Sequence, residues 1–103
     1  MSFLVYMTAP NMEEARYVAK QLIEKRLAAC ANIIPHVESV YRWEGDIVSS
    51  EEVVLIVKTS EDKVTMLTQT ARELHSYNMP CILSLCIAGG NPEFLSWIEN
   101  ETR

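Results

Sequence analysis

The chain has 103 residues, 49% hydrophobic and 22% charged, the proportions of one ordinary globular domain spanning residues 1–103. Nine basic against 14 acidic residues give a net charge of −5, which argues against nucleic acid and an anionic membrane surface as partners. The cysteines, Cys30, Cys81 and Cys86, are odd in number and lack a Cys-x-x-Cys spacing, so free thiols in a reducing cytoplasm are expected, not disulfides or structural zinc.

Met1–Ala9 is apolar but has no basic flank, so it is not read as a secretory signal. Phe3–Met7 within it is a short strand. Asn11 then caps a helix, with Glu14 in the capping-box position. Met12, Ala15, Ala19, Leu22 and Ile23 share one face of that helix, which ends near Arg26. Cys30–Ile34 is a strand interrupted at Pro35, which marks an edge or a bulge. The chain resumes over Val37–Trp43, turns at Glu44-Gly45-Asp46 and returns through Ile47–Thr59 as a long hairpin. The apolar run Val53–Val57 belongs in a central strand covered on both faces. Ser60, Glu61 and Asp62 start a second helix, with Val64, Leu67, Ala71 and Leu74 as its buried stripe. Cys81–Ile87 is the last strand. Asn91 and Pro92 then open a short amphipathic helix carrying Phe94, Leu95, Trp97 and Ile98.

This order predicts an α+β, ferredoxin-like βαββαβ sandwich with an added C-terminal helix. Its first and third strands are central, and the fourth lies antiparallel beside the first. Both main helices cover one sheet face and leave the other short of cover. The hairpin, with Tyr41 and Trp43 near its tip, overhangs the sheet. A homo-oligomer is the expected unit.

Catalysis finds little support, so an enzyme is not expected. Gly89-Gly90 precedes a helix without a Walker lysine, the loop Thr8-Ala9-Pro10-Asn11 holds no basic residue, and the only imidazoles are His36 and His75. Soft-metal binding is the sharper expectation. Met7 ends the first strand, Cys81 begins the antiparallel fourth, and His75 closes the helix leading to it. Thioether, imidazole and thiol suit Cu(I) and other soft cations. The same residues also read as ordinary packing, with Met7 and Cys81 in the core and His75 a cation at a helix C-terminus. Cys30 and Cys86 read as packing. Tyr41, Trp43, Tyr77 and Trp97 read as interface anchors or the lining of a cleft.

Two segments carry a resemblance to a known family. Glu24-Lys25-Arg26-Leu27-Ala28-Ala29-Cys30-Ala31-Asn32-Ile33-Ile34-Pro35 and Ser39-Val40-Tyr41-Arg42-Trp43-Glu44-Gly45-Asp46-Ile47 resemble signatures of the CutA divalent-cation tolerance proteins. Matches continue in Val54–Thr59, Gly89–Pro92 and Leu95–Ile98, so the likeness runs from about Val5 to Arg103. It implies a homotrimer, a link to copper and other divalent cations, and an architecture related to the PII signalling trimers. It further implies a metal site at Met7, His75 and Cys81. Met7 stands where bacterial members resemble a cysteine, Leu74 replaces a histidine, and Cys81 replaces the acid that follows the proline. The exchange of acid for thiol favours a soft cation over a hard one. The alternative function is a PII-like trimer that binds a small molecule or protein at subunit clefts.

Overall fold

The computed structural model describes residues 1–103. Its elements are β1 (Ser2–Ala9), α1 (Met12–Glu24), β2 (Cys30–Trp43), β3 (Asp46–Ser60), α2 (Val64–Leu74), β4 (Ile82–Cys86) and α3 (Pro92–Glu101). A single turn of 3₁₀ helix, Glu61–Lys63, leads into α2. The sheet is antiparallel throughout, in the order β2-β3-β1-β4, so β1 and β3 are central as the sequence predicts.

Register decides which side chains share a face. Val5 pairs with Val57, Met7 with Leu55 and Ala9 with Val53, and directly paired residues point the same way. These six residues pack beneath Ala15, Val18, Ala19 and Leu22 of α1 and Leu67 and Ala71 of α2. The predicted stripe of α1 is corrected at one position: Val18 is buried, whereas Ile23 is 40% exposed. The opposite sheet face carries Leu4, Tyr6 and Thr8 of β1 with Val54 and Ile56 of β3, and Leu83 and Leu85 of β4. No helix seals its β4 edge, where Leu83 and Leu85 are 58% and 53% exposed. The run Val53–Val57 is therefore covered on one face and only partly on the other.

The helix ends follow local chemistry. Asn11 Oδ1 accepts the Glu14 N–H at 2.8 Å, but the reciprocal arm of the expected capping box is absent because the Glu14 carboxylate is used elsewhere. α1 ends at Glu24, two residues before the Arg26 that the sequence suggests. The Arg26 N–H donates to Ile23 O and the Leu27 N–H to Leu22 O, with Arg26 at φ 58°. This is a Schellman closure in which arginine occupies the left-handed position usually given to glycine. α3 is capped by Asn91, which accepts the Glu93 N–H, and begins at Pro92 as predicted. Only Ile98 of its apolar residues is fully buried. The helix closes the sheet end at Ser2 and Ser60 through Glu99 and Thr102.

The hairpin turns through Glu44 and Gly45, both at positive φ (49° and 88°), a two-residue connection matched to strand twist. The ladder slips between Ile34 and Val37, placing the bulge at Pro35-His36. Before Val53, β3 pairs with β2 alone, so the arm projects and the molecule extends 44 Å along its longest axis.

Candidate functional site

The polar groups of the molecule converge where β1 ends, α2 ends and β4 begins. His75 is the C-cap of α2 and its side chain is only 1% exposed. Its Nε2–H donates to the Thr8 carbonyl at 2.7 Å, and its Nδ1 accepts the Tyr77 N–H at 3.1 Å. Both ring nitrogens are thus occupied by partners within the protein. Glu14 Oε2 accepts the Ser76 N–H at 3.1 Å and lies 3.3 Å from His75 Nδ1. His75 stands at the helix C-terminus as expected, and its ring is a buried strut between a helix end and a strand end.

Tyr77 continues the same network. Its hydroxyl donates to Glu52 Oε2 at 3.1 Å, and its ring tilts against His75 with centroids 4.8 Å apart. Burial, then the hydrogen bond and negative charge of Glu52, push the phenol up to about 12, with smaller contributions from Tyr41 and Glu14. Glu52 itself is 9% exposed.

Cys81 lies at the far end of this loop, immediately before β4 and partly buried. Burial first, and the Glu52 carboxylate second, raise its thiol pKa, while the Thr8 hydroxyl works the other way. Thr8, Glu52 and Cys81 are therefore neighbours, and His75 reaches the same point through the Thr8 carbonyl.

Met7 does not join them. It is 1% exposed and belongs to the helix-covered core with Val5 and Ala9, whereas Thr8, its neighbour along the strand, points to the other face. Alternation along β1 thus separates the Met7 sulfur from the Cys81 side of the sheet. The sequence brings the three residues to one strand end, but only His75 and Cys81 meet at Thr8. Cys86 is also corrected: it is exposed, with its sulfur 3.1 Å from that of Met1. Cys30 is partly buried.

Sequence reasoning missed Thr8, Glu14 and Glu52. Glu14 was legible only as a capping residue. Glu52 had one signal, a lone acid at the head of the apolar run Val53–Val57. No three His, Cys, Asp or Glu residues form a ready-made metal cluster. The donors present are one thiol, two engaged carboxylates and an imidazole whose nitrogens both bond within the protein.

Comparison with known proteins agrees with the fold and with the resemblance in sequence. The family model of the CutA1 divalent ion tolerance protein matches residues 3–101. The divalent-cation tolerance protein CutA of Thermus thermophilus is 44% identical over 102 residues, 99% of each chain. The chloroplastic protein CutA of Arabidopsis thaliana is 41% identical, and this chain spans 56% of its length. The solved Thermus structure superposes with a TM-score of 0.97, covering 100% of both chains. The structure of the CutA from Archaeoglobus fulgidus, described as periplasmic, does the same at 43% identity. This chain belongs to the CutA1 family of divalent ion tolerance proteins.

Proposed function

We propose that this chain is a homotrimeric cytoplasmic protein that binds copper or another soft or divalent metal ion and contributes to metal tolerance, acting by binding and not by catalysis. The observation that carries this reading is the Cys81 thiol set beside Glu52 and Thr8, on a loop whose ends are pinned to the sheet. Cys81 is the metal contact. His75 positions the loop, since its nitrogens already bond Thr8 and Tyr77. Met7 is the packed floor beneath β1. The family name supports tolerance of divalent ions as the biological setting.

Trimer formation is supported by surface that a lone chain leaves bare. Leu83 and Leu85 on the uncovered face, and Val40 and Ile47 on the projecting arm at 65% and 70% exposure, form apolar area suited to subunit contact. No helix is long and apolar enough to cross a membrane.

Titration calorimetry with Cu(I) under anaerobic conditions, and with Cu(II), tests the binding. The wild type should bind, and Cys81→Ser should lose affinity by at least ~10-fold, about 1.4 kcal/mol. Equal, weak binding by both proteins overturns the site. Sedimentation equilibrium should return the mass of three chains, and a monomer at micromolar concentration overturns the assembly.

A further inference from the structure

We propose that α3 is a detachable clasp, which leaves the sheet as one unit about a hinge at Gly89-Gly90 while the sheet, α1 and α2 stay folded. The device is separate from the metal contact at Cys81 and does not depend on it.

The clasp is held at few points. Ile98 is the one apolar residue of α3 that is fully buried, and Phe94 and Trp97 remain 45% and 40% exposed. Ile98 also lies outside the cluster that α1 and α2 close over the sheet, so its seat can empty without opening that core. Thr102, just past the helix, adds one buried hydrogen bond between its hydroxyl and Ser60 Oγ at 2.9 Å. The bond from Ser2 Oγ to Glu99 is longer, at 3.3 Å. Glu99 also pairs with the Met1 amine and Glu101 with Arg26, but these groups are 41–60% exposed and such pairs add little. Where α3 nears the end of α1, an open hollow lined by Ile23, Ala28, Ala29 and Trp97 takes the place of packing. A helix of ten residues does not hold itself in water, so α3 melts when it leaves.

The chain leading into α3 is free to turn. Its last bond to the sheet runs from the Ile87 N–H to Ser2 O at 3.0 Å. Ala88, Gly89 and Gly90 are exposed, and none takes part in a backbone hydrogen bond. The docked fold requires neither glycine. Neither lies in the left-handed region, and a Cβ would meet nothing within 4 Å at Gly89 and only Leu95 Cδ2, at 3.9 Å, at Gly90. What two adjacent glycines add here is backbone freedom.

Undocking changes the open face of the sheet. Ser2 and Ser60, now 6% and 4% exposed, lie at the end of the face that carries Leu4, Tyr6 and Thr8. Glu99 and Thr102 cover that end. The position of α3 therefore sets how much of the open face is available.

Amide hydrogen exchange by NMR tests the device, on the full chain in its native assembly and across low guanidinium concentrations. The amides of Leu95 to Glu101 should share one protection factor, ~100-fold or more below those of Val5 and Leu55, with a shallow common dependence on denaturant. Leu55→Ala, or the milder Val57→Ala, weakens only the core, which stays intact when α3 leaves. Either should speed Val5 exchange ~10-fold or more and leave the α3 amides within ~2-fold of wild type. Gly89→Ala removes freedom from the undocked chain and should slow α3 exchange ~2–5-fold. Equal acceleration of Val5 and α3 by a core variant shows that α3 opens only with the whole fold and overturns the clasp. A gradient of exchange along α3 without denaturant dependence reduces the motion to fraying and overturns it too. Unchanged α3 exchange in Gly89→Ala overturns the placement of the hinge.

Discussion

The two faces of the sheet use the same strands and nearly the same residue types, yet they do opposite things. On one, Val5, Met7, Ala9, Val53, Leu55 and Val57 are closed off by α1 and α2, each at 5% exposure or less. On the other, Leu83 and Leu85 of β4 and Ile34 of β2 remain 42–58% exposed, and of its apolar residues only central Val54, flanked by Thr8 and Ile34, is buried. Hydrophobicity alone does not separate them. What does is the number of helices a chain of this length can lay on a four-stranded sheet. The first face makes the subunit fold. The second gives it a reason to associate.

Substitutions that should act on only one face sharpen this contrast. The largest effect belongs to Leu55→Ala, which opens a cavity in the sealed core and should cost about 2–5 kcal/mol in chemical denaturation. His75→Ala should cost about 1–3 kcal/mol, because the Thr8 carbonyl and Tyr77 N–H lose a buried partner. Its circular dichroism spectrum should otherwise stay native. Leu83→Glu, on the open face, should change the stability of a single chain by no more than about 0.5 kcal/mol while lowering the sedimenting mass. An unchanged mass would remove this face from the assembly.

Two smaller effects probe the sheet end where the faces meet. At pH 8 iodoacetamide should modify exposed Cys86 before Cys81, whose thiol burial and Glu52 push up, and Glu52→Gln should speed the second reaction. Equal rates at both thiols would contradict that environment. Tyr77 is protonated in the fold and its folded pKa lies above the ordinary value of 10.0. Its contribution to stability is therefore complete below pH 10 and lost as pH rises through about 12. Melting temperatures across that window should fall less steeply for Tyr77→Phe than for the wild type.

Much of the fold was legible in the order of residues. The caps Asn11 and Asn91, the bulge at Pro35 and the acid start at Glu61-Asp62 each act within a few residues, so the local sequence contains their whole cause. The site was legible only in part. Chain topology was enough to bring His75 and Cys81 to one strand end. It was not enough to tell that Met7 points away, because a one-residue shift along a strand reverses the face and only the pairing with Leu55 sets it. Glu14 looked like a cap because its partner, the Ser76 N–H, lies 62 residues away.

The sequence by itself determined the elements, their order, the central place of β1 and β3, and the family, since these depend on local periodicity, turn chemistry and matched segments. The tertiary structure alone decided that His75 is a fully bonded strut, that Glu52 faces both Tyr77 and Cys81, and that Met7 belongs to the core. Those outcomes depend on strand register and on contacts between residues far apart in the chain, and no local pattern encodes either.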